Sequence, residues 1–203
     1  MVQETTSKGE RTRQSILQAA YELFLEKGFA ATSVREIAER SDLALGGIYN
    51  HFENKAAIFS ELMIERHPFH QVLPLLEATP GDTVEEFVHN AARSMLDELG
   101  RRPDFIKLMF IELVEFNGRD FPEMFKVVFP QILPLILRFQ SGQEKLRPIP
   151  PSILVRAFVG LFFSFYITEF LLVGSPVATA QENALDHFVE IFLHGVMVDK
   201  EFA

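Results

Sequence analysis

The chain of 203 residues predicts an all-α protein in two parts. Three observations carry this. Apolar residues recur at helical spacing over 11–27, two short helical runs meet at a tight turn within 32–62, and from residue 67 on further helical runs are bounded by proline and glycine. The expected architecture is a three-helix N-terminal domain over 8–66, with its helix-turn-helix at 33–52, and a helical domain over 67–203. Together they make about nine helices.

The first helix, Arg11 to Lys27, places Ile16, Leu17, Ala20, Leu23 and Phe24 on one face, and Gly28 ends it. Thr32 and Ser33 offer hydroxyl caps to the next helix, and Glu36 stands three residues after Ser33 as a capping box requires. Val34, Ile37 and Ala38 share its inner face, and Ala38 is small where a second helix must cross. Ser41-Asp42-Leu43 makes the turn, and Asp tolerates a left-handed backbone there. Ala44 to His51 is then the second helix of the pair, the geometry that lets a helix enter a DNA major groove. Asn54 caps a further helix through Ile58, Phe59 and Leu62 towards Arg66.

In the second part, Thr83–Gly100 opens with Asp82 and Glu85 as a capping pair, and Pro103–Asn117 closes at Gly118. Pro122–Ser141 holds Pro130 and Pro134, which should kink or split it. Pro151–Val173 is apolar nearly all round. Arg156 and Glu169 interrupt it, which favours a buried helix over a membrane span. Thr179–Asp199 is the last.

The N-terminal third resembles the TetR family of one-component transcriptional regulators. The likeness rests on Ile16-Leu17, Ala19-Ala20, Leu23-Phe24, Gly28-Phe29, Thr32-Ser33, Glu36-Ile37-Ala38, Gly46, Ile48-Tyr49, His51-Phe52, Asn54-Lys55 and Phe59. The rest resembles the family only in length and apolar, helical character. The resemblance implies a homodimer that binds double-stranded operator DNA, represses by default, and is released by a small molecule. It implies phosphate contacts from Tyr49, His51 and Lys55, a further one from Thr32 or Ser33, and a base contact from Arg35. The reading helix departs from many relatives. Ala44-Leu45-Gly46-Gly47 carries almost no hydrogen-bonding side chains, so Leu45 or Ala44 against thymine methyls, Asn50 and Arg35 for polar contacts, and DNA shape are expected to supply specificity.

Charge runs against a generic nucleic-acid binder. Residues 1–66 hold eight Lys/Arg against ten Asp/Glu, and the whole chain carries a formal charge of −9. Acids such as Glu22, Glu26 and Glu39 are therefore expected to face away from phosphate, with weak, salt-sensitive non-specific binding. An architectural DNA-binding protein without an inducer is the alternative. No catalytic residue, metal site or cofactor is expected. Cysteine is absent, nucleophile and phosphate-loop motifs are missing, His67 and His70 are split by Pro68, and His187 and His194 read as structural.

Twenty-one Phe residues and no Trp suggest an irregular apolar cavity for a hydrophobic or amphipathic effector. Its expected lining is Phe105, Met109, Phe110, Leu113, Phe116, Phe125, Phe129, Phe163, Tyr166 and Phe170, with Glu169 among the acids, beside Glu112 and Glu115, able to fix a cationic or hydroxylated group. In a protein of this resemblance the last two helices pair with their copies, through Gly160, Leu161, Phe165, Leu185, Phe188, Val189 and Phe192, and Gly174 also suits that role. A cytoplasmic location and no membrane partner are expected.

Overall fold

The computed structural model describes residues 7–140, 146–173 and 183–197; Gly174, Thr179 and Asp199 lie outside them. The described residues form α1 (Lys8–Ala31), α2 (Val34–Arg40), α3 (Leu45–Tyr49), α4 (Lys55–Arg66), α5 (Phe69–Ala78), α6 (Val84–Gly100), α7 (Pro103–Phe116), α8 (Phe121–Gln140), α9 (Pro151–Leu172) and α10 (Ala184–Val196). Among them the only β-type pairing is an isolated antiparallel bridge, Leu146 to Met197.

Two compact units result, and they are not divided in chain order. The first joins Met1–His67 to Asp104–Pro122; the second takes Pro68–Pro103 and Glu123–Ala203. α7, expected in the second part, belongs with the N-terminal helices. The reason is aromatic packing. Phe116 of α7 stacks on Phe59 at 4.9 Å and meets Phe29 edge-on at 4.8 Å, while Phe24 contacts both Phe29 and Phe59.

In the first unit, Ile16, Leu17, Ala20, Ile37, Ala38, Ile48, Ile58, Phe59 and Leu62 are buried together, as their spacing predicts. Gly28 adopts φ +83°, which favours a residue without Cβ; the chain makes one more helical turn beyond it, to Ala31. Ser33 and Glu36 form the reciprocal capping box, and Asp42 takes φ +56° at the turn. α3 is shorter than the expected Ala44 to His51, spanning Leu45–Tyr49, and Ala44 at its N-cap has no side chain to hold an amide.

In the second unit, α6 packs with α5, α9 and α10. Its cap lies one residue later than the expected Asp82–Glu85 pair: Thr83 Oγ1 accepts from the Glu86 amide, and the Asp82 amide donates to Glu86. α5 was not foreseen, because Pro74 sits inside it. α8 is neither split nor ended at Pro130 or Pro134. Four residues apart, both prolines lie on one exposed face, where solvent can take up the carbonyls they leave unpaired.

α9 departs most from expectation. It is long and apolar enough to cross a membrane by length and composition, yet only 17% of its most apolar window is buried inside the chain. Leu171 and Val173 at its end, and Ile191 on α10, are exposed. His187 and His194, expected to be structural, also lie on the exposed side of α10, where His194 faces Glu190 at 3.5 Å.

Candidate nucleic-acid interface

The helix pair α2–α3 presents one open face. Leu45 (44% exposed) and Tyr49 (54%) project from α3, with Ala44, Gly46 and Asn50 exposed beside them, Gly47 half-exposed, and His51 half-buried at the end. Ile48 points the other way into the core and fixes the rotation of the helix. Neither Gly46 nor Gly47 is demanded by the protein itself. A Cβ at Gly46 would meet nothing within 4 Å, and one at Gly47 only Leu43 at an ordinary 3.7 Å.

Arg35 stands on the exposed side of α2 in a solvent-screened pair with Glu39 at 3.1 Å. Glu39, expected to face away, therefore shares the surface of Arg35 and competes for it. Glu22 and Glu26 are taken up by Arg40, whose guanidinium bonds both. Glu36 is held by Lys27 and by Ser33, which lower its pKa to about 2.

Three expected phosphate contacts look different in the folded chain. Thr32 is 2% exposed, and its hydroxyl donates to the carbonyls of Gly28, at 2.8 Å, and Leu23. It closes the end of α1 and does not face outward. Ser33 is exposed, but its hydroxyl is engaged with Glu36 at 2.8 Å. The Lys55 ammonium turns inward, donates to the carbonyls of Phe29 and Thr32 at 2.6 Å each, and lies 4.1 Å from the Phe29 ring centre. Burial pushes its pKa down. A cation is needed there because α1 has no basic residue in its own last turn. That absence is the signal the sequence carries.

The residues expected to line an effector cavity are divided between the units. Five lie on α7 in the first: Phe105 is buried, edge-on to His67 at 4.9 Å, and Phe116 belongs to the aromatic core, while Met109 is half-buried and Phe110 and Leu113 are exposed. Six lie in the second. There Phe125 and Phe129 stack at 5.4 Å, Phe163 and Glu169 are half-buried, and Phe170 is exposed. Tyr166 is buried and its hydroxyl is committed to the Leu99 carbonyl at 2.8 Å, which makes it a core residue. A polar cleft of about 450 Å³ in the second unit, lined by Thr83, Glu85, Glu86, His89 and Asn90, contains none of the expected residues. Of the expected dimer contacts, Val189 and Phe192 are buried within the chain's own second unit, so they support the outer surface from behind. Gly160 is exposed, and Leu161, Phe165, Leu185 and Phe188 are half-buried.

A five-residue helix joined by a tight turn to a capped partner, in an all-α chain, defines a helix-turn-helix DNA-binding protein. The family model for bacterial regulatory proteins of the tetR family matches residues 16–62. A Bacillus subtilis protein described as the HTH-type transcriptional regulator YvkB is 27% identical over 193 residues, covering 93% of this chain and 98% of its own length. The regulator AcrR of Shigella flexneri is 40% identical over 62 residues, and the chain spans only 29% of its length. Among solved structures, a TetR-family regulator from Shewanella sp. PV-4 superposes with a TM-score of 0.69 at 19% identity, over 93% of this chain and 99% of that one. Residues 16–62 match the tetR-type DNA-binding domain, and over nearly its whole length the chain is similar to TetR-family transcriptional regulators.

Proposed function

We propose that the protein is a homodimeric repressor that holds a palindromic operator through the Arg35, Leu45, Tyr49 and Asn50 face and leaves it when a hydrophobic or amphipathic small molecule binds the helical body. The observation that carries the reading is the pair Gly46-Gly47. The fold gives no reason for either, whereas a helix backbone that must approach a duplex closely does. Leu45 and Ala44 then meet thymine methyls, Arg35 exchanges Glu39 for a base edge, and Tyr49, Asn50 and His51 position the phosphates. Thr32 and Lys55 act indirectly, by fixing the end of α1.

Dimerisation through α9 and α10 is supported by the apolar surface they leave uncovered. One head makes too few base contacts, and two related by a two-fold axis read half-sites roughly 34–36 Å apart. For the effector, support comes from the similar folds. NalD of Pseudomonas aeruginosa (23% identity, TM-score 0.64) is the secondary repressor of the MexAB-OprM multidrug efflux pump, and the Bacillus subtilis FadR structure (20% identity, TM-score 0.67) contains stearoyl-CoA. A cytoplasmic protein with no catalytic role fits this reading, as the relatives are named transcriptional regulators.

The test is duplex binding across a set of operator variants with Leu45→Ala and Arg35→Ala. Each should change the preference among variants at a different base position. Unchanged preference in both would remove these residues from the reading surface. Thermal unfolding against hydrophobic compounds tests the effector. A true ligand at 100 times its dissociation constant adds about 2.7 kcal/mol of stability.

A further inference from the structure

Glu112 is a carboxylic acid with 0% exposure, on α7 inside the first unit. Its Oε1 accepts the backbone N–H of Asp120 at 2.8 Å, while its buried Oε2 has no partner. Asp120 repeats the pattern: Oδ1 faces the Arg119 Nε at 3.3 Å, and the buried Oδ2 is unpartnered. The turn that brings them together is fixed. Asn117 and Gly118 take φ of +54° and +69°, and a Cβ at Gly118 would come within 3.0 Å of the Phe121 ring. It is also fastened to α4, because Arg119 Nη2 donates to Ser60 Oγ at 2.9 Å and Phe116, just before it, stacks on Phe59. α4 is the helix that starts with Lys55 and so holds the end of α1.

We propose that Glu112 is a proton-operated latch on the DNA-binding unit. With its proton, it fastens the Asn117–Asp120 turn to α4 and favours operator binding; ionised, it loosens the turn and weakens operator binding. One fully buried and one half-buried carboxylate with one guanidinium leave an uncompensated charge and two buried orphan acceptors. A proton on Glu112 Oε2 removes its charge and turns one orphan acceptor into a donor beside the negatively charged Asp120, whose amide already meets Oε1. Burial is the main force raising the Glu112 pKa. The Asp120 charge raises it further, and the Asp120 amide and Arg119 oppose. From α4, Ser60 is neutral and Glu61 is committed to Arg13; Lys55 is committed to the α1 carbonyls. For an acid raised in this way, the stabilisation is complete below the ordinary carboxylate range and is lost as pH rises through the raised value.

The inference rests on the proposed DNA-binding role, and one experiment separates the two. The full chain and its Glu112→Gln variant are compared for binding to a palindromic duplex selected from a random pool, at constant ionic strength from the ordinary carboxylate range of about pH 4.5 up to about 8.5, and for thermal unfolding over the same range. Every other ionisable group is common to both. The native chain should lose about three- to tenfold in affinity with rising pH beyond any loss in the variant, and should lose melting temperature relative to it. Asp120→Asn, which keeps the backbone N–H but removes a negative charge, should move the native chain's loss to lower pH. The Glu112 carboxyl carbon, followed by NMR, should titrate above the ordinary range in the native chain, so a poorly folding variant does not remove the test. Parallel binding and melting profiles, or an ordinary titration of Glu112, overturn the latch and leave the DNA role standing. Diverging melting profiles with no duplex bound by either protein overturn the DNA role instead.

Discussion

Lys55 and Gly46 show how differently single residues serve the same surface. Lys55 satisfies two carbonyls at the end of α1, so Lys55→Met should lower stability by about 1–3 kcal/mol, read from the urea midpoint. A purely phosphate-gripping lysine would leave that midpoint in place and reduce only the salt slope of DNA binding, by about 1. Gly46 does the reverse. Its replacement by alanine meets no atom in the protein, so it should stabilise α3 by up to about 1 kcal/mol while weakening operator binding. Raised stability with unchanged affinity would argue against close backbone approach. Residue type was legible in both cases; partner choice was not. Thr32 and Lys55 carry the right chemistry for phosphate, but the carbonyls at the end of α1 lie nearer than any ligand and claim both side chains.

At the scale of elements, local rules were read well wherever partners are close in sequence. The Ser33–Glu36 box, the left-handed Asp42 and the Asn54 cap all occur where side chain and amide lie within three residues. Ser33→Ala should cost about 1 kcal/mol, measured by thermal unfolding. The box also has a pH signature. Because Lys27 and Ser33 lower the Glu36 pKa to about 2 from 4.5, its contribution is present above about pH 4.5 and is lost as pH falls towards 2. Glu36→Gln should flatten that acid limb. Elements that depend on distant partners were less legible. α5 and α8 tolerate prolines that local rules reject. α7 joined the N-terminal unit only because Phe116 found Phe59 and Phe29, and no spacing within residues 103–116 announces that contact.

For the whole molecule, the all-α class and the N-terminal helix-turn-helix were plain from sequence. The burial of α9 was misjudged, since an apolar helix looks the same whether its cover is its own chain or a second copy. Ile191, 62% exposed on α10, distinguishes these. Ile191→Asp should leave the fold intact, yield a monomer by sedimentation and abolish operator binding; a variant still dimeric would place the interface elsewhere. The central claim is that two copies of the α2–α3 face read one duplex. Selection of bound DNA from a random pool by the purified native protein tests it most directly. The enriched sequences should contain an inverted repeat with half-site centres one helical turn, roughly 34–36 Å, or a multiple of it apart. Enrichment of a single unrepeated motif, or none at low ionic strength, would contradict the account.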